Sequence, residues 1–435
     1  MEPLFLAVIS GCDAGLLRKA LHEVYVPRIQ RGDSSFAANI LGARGALLTV
    51  LAHFFEQGHW GSLAETRTEG QSLTPEDQLF ILMQAGLYLT ATRGFQSPEA
   101  RICYYHAEPL CHSLNRPLQL YLALMGHYRF SLVTDRLTAT MQTAKRIYSL
   151  AQEQNDAALL IGAYRALAST LYFIGDFRYA RQHALRAVEI WRSGVPQSAA
   201  EEVIAPAVGS LCFDALSQWH LAQIASSKET MAEAISLAKE LNHMHALAVA
   251  LCFAGFLGQF ERNPAEVERW TSDLIELSTR QHFTFWLHAG ETLRGWARSV
   301  AGDTTEGVAW IEEGIENMRT GGWRLCLPYA LACKAEALHL ADRTSEALEA
   351  IREAERVVER SEERWWCAEL YRLRGVFLAA LGAAEAEIEA SFRAAIRIAK
   401  EQKSISLATR AEASYAEYRR QKATASRGAG VRLPV

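Results

Sequence analysis

A spaced pattern of small residues recurs in the second half of the chain. Five positions carry it at offsets of 0, 7, 12, 16 and 19 residues: Gly295, Gly302, Gly307, Ile311 and Gly314. The same offsets return 40 residues later at Ala335, Asp342, Ala347, Ile351 and Ala354. Small residues at the first, third and fifth positions allow two antiparallel helices to lie close together, and the second position marks the turn between them. The pattern therefore predicts a helical-repeat protein.

The first position of the pattern can be followed through most of the chain in steps of about 40 residues. Every step falls on Ala or Gly: Gly45, Ala85, Gly126, Ala168, Ala215, Ala254, Gly295, Ala335 and Gly375. The order of the small residues favours tetratricopeptide-like helix pairs over HEAT or armadillo repeats, which have a similar period. The one long step, of 47 residues, contains residues 195–202, which predict a longer loop. We expect an all-α fold, a right-handed superhelical solenoid of about nine helix pairs.

Composition agrees with a solenoid. A compact chain of 435 residues would normally form two or three domains, but no linker rich in Pro, Gly or Ser divides this one. Each unit of a solenoid buries its apolar face against its neighbours, so no such division is needed. Half of the residues are hydrophobic, 11 are Pro, and strand patterns are weak. We predict one solenoid over residues 1–422, closed by a helix at 407–422, and a disordered tail at 423–435.

The N-terminal unit is atypical. Asp13 to Gln30 reads as an amphipathic helix followed by a turn, and the first repeat is expected to begin near either Pro3 or Asp13.

Charge and cysteine usage restrict the partners and the compartment. The formal net charge of −4 provides no basic field for nucleic acid. The eight cysteines form no CxxC motif, and Cys326 and Cys333, on one predicted helix, are interpreted as small buried apolar residues. The sequence predicts neither a signal peptide nor an apolar run of the ~20 residues that span a membrane. We therefore predict a reduced, cytoplasmic protein without nucleic-acid or membrane contact.

No catalytic, metal or cofactor site is predicted. The stretch 42–46 lacks the Lys-Ser/Thr of a phosphate-binding loop and is interpreted as a helix-packing site. His243 and His245 are two residues apart, so their rings point to different faces of a helix, and a zinc site needs more ligands. The acidic pair 362–363 is interpreted as surface or helix-start charge. The chain is not expected to be an enzyme.

Three segments resemble a bacterial tetratricopeptide family. Residues 363–375, Glu-Arg-Trp-Trp-Cys-Ala-Glu-Leu-Tyr-Arg-Leu-Arg-Gly, carry the most specific likeness, and residues 246–254 and 281–296 resemble further segments. In that family the repeats form the C-terminal region of large signalling ATPases, which include cyclase-linked and maltose-regulator-like proteins with a LuxR-type DNA-binding domain. The resemblance covers residues 77–420, whereas the cyclase, ATPase and DNA-binding motifs are missing. It implies a separated or free-standing relative of such a regulatory arm.

The repeat phase predicts a binding groove. In tetratricopeptide units the inner helix lines a concave surface, and residues one turn either side of the small anchor point into it. The residues at these positions are His127, Phe130, Arg165, Tyr172, Trp219, Trp296, Glu336, His339, Glu369 and Arg372. Aromatic and charged groups together suit a peptide or a partner helix. Two alternatives stand beside this: the tryptophans pack in the core, and Arg372 pairs with Glu369 on the same helix.

Trp365 and Trp366 stand at the entrance to the last full unit. As neighbours on a helix they are expected to face different ways, one into the core and one near the surface, where it would mark a docking patch. The alternative is that both shield the last repeat interface.

The functional expectation is a noncatalytic scaffold or sensor arm that binds a protein or peptide in bacterial signalling or transcriptional regulation. The alternative is a small-molecule (inducer) receptor arm of a signalling ATPase or cyclase. Self-association through an exposed end or face is left open.

Overall fold

A computed structural model describes residues 1–32, 37, 43–56, 59–195, 205–425 and 433–435 of the chain. These residues divide into two compact units, which we call unit 1 (Met1–Val133) and unit 2 (Thr134–Val435). Helices that pack in consecutive pairs make up most of both units. The predicted all-α helical-repeat fold is therefore confirmed. The long loop predicted at 195–202 falls almost wholly outside the described residues.

Unit 1 combines helices with a short hairpin. Its elements are α1 (Glu2–Asp13), α2 (Leu17–Lys19), the π-helix α3 (Ala20–Gln30), α4 (Arg44–Ala52), β1 (Phe55–Glu56), β2 (His59–Leu63), α5 (Pro75–Arg93), α6 (Pro98–Ser113) and α7 (Pro117–Thr134), which ends at the unit boundary. α5 packs against α4 and α6, and β2 lies on α6. The antiparallel hairpin pairs Phe55 with Leu63 and Glu56 with His59. It was not among the elements expected from the sequence.

The first helices of unit 1 differ from expectation. The helix predicted over 13–30 is interrupted because α1 ends at Asp13 and Gly15 takes a left-handed backbone with φ +72°. Pro27 lies inside α3, where it cannot donate a main-chain hydrogen bond. The start of the regular repeats is therefore later than Pro3 or Asp13, since the first helix pair of the expected type is α5 with α6.

Unit 2 is a regular series of helix pairs. Its helices are α8 (Leu137–Glu153), α9 (Ala157–Ile174), α10 (Phe177–Arg192), α11 (Pro206–His220), α12 (Ile224–Glu240), α13 (Met244–Phe260), α14 (Pro264–Gln281), α15 (Thr284–Val300), α16 (Thr304–Thr320), α17 (Leu327–Leu340), α18 (Thr344–Ser361), α19 (Cys367–Ala380), α20 (Glu385–Glu401) and α21 (Ile405–Ala425). Each odd-numbered helix from α9 to α19 pairs with the next even-numbered one and also contacts the following odd-numbered one. We call these odd-numbered helices the inner helices.

The small residues of the repeat lie where paired helices touch. A side chain at Gly295 in α15 would place its Cβ 2.7 Å from the carbonyl oxygen of Gly307 and 2.8 Å from Ile311 Cγ1 in α16. Gly302 takes φ +105° in the turn between the two helices. The predicted contact and turn are confirmed here. For Gly45, no described atom outside its own helix lies within 4 Å of a Cβ built there, and its role in helix packing stays a prediction because residues 38–42 lie outside the described part of the chain.

One described helix, α9, is long and apolar enough to cross a membrane, but 67% of that segment is buried inside the protein. It packs against α8, α10 and α11, which accounts for its apolar composition as a core helix.

The C-terminal helix is longer than predicted. α21 covers Ile405–Ala425 and packs against α19 and α20, so residues 423–425 are helical. Residues 426–432 of the predicted tail lie outside the described part of the chain, and residues 433–435 belong to unit 2.

Replacing Gly295 by Val is expected to lower the free energy of unfolding of unit 2 by about 1–3 kcal/mol, because an overpacked contact costs that much. Exposed Glu313 on the facing helix provides the control, and Glu313→Ala should change stability by less than about 0.5 kcal/mol. Chemical denaturation followed by circular dichroism measures both. Equal effects of the two substitutions would contradict the assigned contact.

Candidate functional site

The inner face of unit 2 is closed by contacts between residues far apart in the chain. The main-chain N–H groups of Arg364 and Trp365 donate to the carbonyl oxygen of Phe173, at 2.8 and 3.2 Å. Ser406 Oγ donates to the carbonyl oxygen of Trp219 at 2.5 Å, across 187 residues. α21 also packs against α11. The segment before α19 and the start of α21 therefore occupy the space that an open solenoid would leave for a ligand.

Trp365 and Trp366 form the centre of an aromatic cluster on this inner face. The Trp365 ring centre lies 5.5 Å from that of Tyr172 and 5.2 Å from that of Tyr329. The Trp366 ring stacks on Phe260 at 4.8 Å. Both tryptophans are buried, at 0% and 2% exposure. The predicted surface position of one ring is wrong, because both residues precede α19 and helical geometry does not turn them apart. The docking patch based on that exposure is therefore not present.

A buried ionic cluster lies beside the aromatic rings. Arg372 donates to both Glu369 oxygens, at 3.0 and 2.8 Å, and to Ser414 Oγ at 3.1 Å. Arg410 of α21 also donates to Glu369, at 3.2 Å, and to the carbonyl oxygen of Phe260. Burial acts to raise the pKa of the Glu369 carboxyl, but Arg372 and Arg410 outweigh it and hold that pKa at about 2. The alternative pairing of Arg372 with Glu369 is thus the one observed.

A second carboxylate is held at the edge of the same interior. Glu336 on α17 is fully buried. It accepts a hydrogen bond from Trp296 Nε1 at 3.1 Å and pairs with Arg262, whose side chain is 27% exposed. The Arg262 guanidinium lies 5.0 Å from the centre of the Trp296 ring. Arg262 therefore connects the interior of unit 2 to its surface.

Glu363 is a buried carboxyl, although it was expected to be a surface or helix-start charge. Its neighbour Glu362 does have the expected role, since it accepts from the Thr138 N–H at the start of α8 at 2.9 Å. Glu363 is 2% exposed and accepts from the Cys326 N–H at 3.0 Å and from Trp365 Nε1 at 2.5 Å. Burial raises the pKa of Glu363 to about 8, against the lowering effect of these donors. The prediction for residue 363 is therefore wrong.

Seven of the ten predicted groove residues are buried in unit 2, with side chains facing other parts of the same chain. They are Arg165, Tyr172, Trp219, Trp296, Glu336, Glu369 and Arg372. Trp219 Nε1 donates to Glu261 at 2.6 Å, and Arg410 lies over the Trp219 ring. These residues are therefore not accessible in this conformation, which differs from the expectation for groove residues. Whether they contact a partner stays a prediction.

The other three predicted residues are partly exposed. In unit 1, His127 Nε2 lies 3.6 Å from the Glu108 carboxylate, and Arg101 lies 4.8 Å over the Phe130 ring. In unit 2, His339 Nδ1 is 2.9 Å from the Thr344 hydroxyl.

Histidines and cysteines singled out from the sequence have structural contacts. His243 Nδ1 accepts from the Ala246 N–H at the start of α13, and His245 Nε2 accepts from Trp286 Nε1. The eight cysteines are free thiols. Cys333 is buried in α17 as predicted, whereas Cys326 precedes that helix, is half-buried and takes φ +64°. Its placement on the helix was wrong, since its N–H instead faces Glu363.

Unit 1 contains a half-open cavity of about 560 Å³ between the hairpin, α5 and α6. Gly61 and Leu63 of β2, Gln78 of α5, and His106 and Leu110 of α6 contribute to its lining. Its volume lies within the range of small-molecule sites, although its lining is more polar than is usual for them.

Replacing Arg372 by Ala is expected to destabilise unit 2 by about 3–5 kcal/mol, because it leaves a buried carboxylate short of its main partner. Arg343→Ala is the matched control, since Arg343 also makes a two-point contact to a glutamate three residues away, Glu346, but at the surface. That change should cost about 0–1 kcal/mol. Urea unfolding of both variants tests the difference, and equal costs would count against the buried cluster.

Glu363→Gln is expected to alter how stability depends on pH. A carboxyl whose pKa is raised in the folded state, from 4.5 to about 8, stabilises the fold most below pH 4.5, and this contribution is lost as pH rises towards 8. The wild-type free energy of unfolding should therefore fall more steeply between pH 5 and 8 than that of Glu363→Gln, by up to about 1.4 kcal/mol per pH unit. Urea titrations at pH 5, 6.5 and 8 measure this. Parallel profiles would show that Glu363 is ionised when folded.

Comparison with known proteins identifies the fold class of the chain but assigns it to no family. No known protein-family model matches the chain. An uncharacterised protein of Rhizobium meliloti (strain 1021) is 28% identical over 209 residues, which are 47% of this chain and 20% of that protein. The match thus spans a fifth of the relative's length.

Among solved structures, a Rap protein complexed with Competence and Sporulation Factor is similar in fold. The TM-score is 0.54 at 10% sequence identity, and the alignment covers 80% of this chain and 99% of the Rap chain. A monomeric mutant of IFIT1 aligns over 90% of this chain with a TM-score of 0.48, and a signal-transduction ATPase of Pyrococcus horikoshii with a tetratricopeptide repeat sensor over 80% with 0.45. The chain has a tetratricopeptide-like helical-repeat fold.

Proposed function

We propose that this chain is a noncatalytic helical-repeat arm that binds a protein or peptide in the cytoplasm, as part of bacterial signalling or transcriptional regulation. The observation that carries the proposal is the fold likeness to the Rap protein, which extends over 99% of the Rap chain. That protein was crystallised with Competence and Sporulation Factor. Fold likeness supports a class of function, whereas the identity of the ligand depends on the surface residues of this chain.

The proposal that the chain is the arm of a larger regulator has separate support. The Rhizobium meliloti relative matches over only a fifth of its own length, so most of that protein lies outside the shared region. An ATPase or cyclase would supply the output in such an arrangement, and this chain would supply the binding surface. The proposal assigns the chain no cofactor and no direct contact with nucleic acid or membrane.

The closed interior of unit 2 restricts where a partner reaches the predicted surface. His127 and Phe130 in unit 1 and His339 in unit 2 are accessible without any opening. We therefore propose these three as first contacts. Binding through the seven buried residues requires the contacts that bury them to separate, which makes their engagement dependent on a conformational change.

A small-molecule receptor is the second candidate, and the cavity in unit 1 favours it. A cavity of about 560 Å³ is within the range that encloses small ligands. Ala64 lines this cavity, so Ala64→Trp would fill part of it and leave distant surfaces unchanged.

A thermal-shift experiment separates the two candidates. The chain is mixed with lysate of the cells that encode it, either untreated or digested with a protease that is then inactivated. We expect the untreated lysate to raise the unfolding temperature, because a ligand that binds only the folded chain stabilises it, and digestion to abolish the rise. A rise that survives digestion and disappears in Ala64→Trp would favour the small-molecule receptor.

Phe130→Ala provides the matched surface variant, with Tyr179→Ala, an exposed aromatic on α10, as its control. The rise should shrink in the first variant and persist in the second. No rise from either lysate, with the chain folded and monodisperse, would count against both binding functions.

A further inference from the structure

The last three residues of the sequence lie against unit 2. Arg262 Nη2 donates a hydrogen bond of 3.2 Å to the main-chain oxygen of Val435. Leu433 is only 8% exposed, whereas Pro434 is exposed. α21 ends at Ala425, so these residues are not part of that helix. A short non-helical segment thus meets a cation with its main chain and keeps an aliphatic side chain out of water.

Arg262 is fixed by its buried neighbours. It lies in the turn after α13, with φ +57°. Its Nη1 pairs with the Glu336 carboxylate, and its guanidinium lies 5.0 Å from the Trp296 ring centre. Trp296 Nε1 donates to the same carboxylate oxygen at 3.1 Å. These contacts hold the guanidinium plane while Nη2 faces the Val435 oxygen. A planar donor held in this way loses little freedom when an acceptor binds.

We propose that Arg262 and its surroundings form a binding site for a short apolar peptide, and that residues 433–435 of this chain occupy this site in cis. The inference rests on the proposed peptide-binding function and assigns it a location. Residues 433–435 show what a ligand of this site needs. It needs a main-chain oxygen that accepts from Arg262, as Val435 provides, and a Leu-sized side chain two residues before it, as Leu433 provides. An inorganic anion would satisfy the guanidinium but would leave the space of Leu433 empty.

Occupation in cis regulates the site. Residues 433–435 belong to the same chain as Arg262, so their binding is intramolecular and does not depend on the concentration of the protein. A peptide supplied in trans must compete with residues 433–435, so its apparent dissociation constant equals the intrinsic one divided by the fraction of sites that these residues leave free. Release of the tail would therefore strengthen binding without any change in the site itself.

Fluorescence polarisation with a labelled peptide of residues 431–435 tests this. In the full chain, Leu433→Asp weakens the binding of residues 433–435 to the site around Arg262 and leaves the residues of the site unchanged. We expect this variant to bind the peptide at least tenfold more tightly than the wild type. Adding Arg262→Lys should then weaken binding at least fivefold, because Lys keeps the positive charge beside Glu336 but has no second nitrogen for the peptide oxygen.

Two controls make the result decisive. A peptide with Asp in place of Leu should not bind, and a peptide extended by one glycine distinguishes a main-chain carbonyl from a terminal carboxylate as the favoured acceptor. Urea unfolding must show that Arg262→Lys is folded. Equal binding by the wild type and Leu433→Asp, or by Leu433→Asp with and without Arg262→Lys, would overturn the proposal. If the thermal shift by lysate is unaffected by Arg262→Lys, the site assignment fails while the proposed function stands.

Discussion

The burial of Trp365 and Trp366 against the inner helices determines the geometry of unit 2. A large aromatic side chain removes about 150–250 Å² of surface from water, which corresponds to about 4–6 kcal/mol for each ring at roughly 25 cal/mol per Å². Tyr172, Phe260 and Tyr329, whose rings contact them, come from three different inner helices. The rings therefore favour the arrangement in which distant repeats meet.

Closing the inner face changes the energetics of every polar group on it. A charge that faces water in an open groove becomes costly once the groove is dry, unless an opposite charge accompanies it. Glu369 is accompanied by Arg372 and Arg410, and its pKa falls. The donors that the described part of the chain offers to Glu363 are neutral, and burial raises its pKa. The two carboxyls thus differ in ionisation because their partners differ, although both are buried.

Local features of the repeat were predictable because they depend on neighbouring residues. The contact of Gly295 with α16 and the turn at Gly302 follow from spacing alone. The prediction failed where the outcome depends on distant residues. Nothing near Trp365 in the sequence indicates that Phe173, almost 200 residues away, accepts its N–H. The groove residues were predicted from spacing, and spacing contains no information on which distant residues bury them. The hairpin was missed because its strands are two and five residues long.

The closure between α9, α11 and the segments before α19 and α21 also constrains how such a protein evolves. Linear solenoids gain and lose whole repeats readily, because each repeat contacts only its neighbours. In unit 2, deleting or duplicating one helix pair would rotate all later pairs and separate Phe173 from Arg364 and Trp219 from Ser406. The number of pairs between these contacts is therefore a structural constant. Unit 2 should diversify by substitution within its repeats and not by changes in their number.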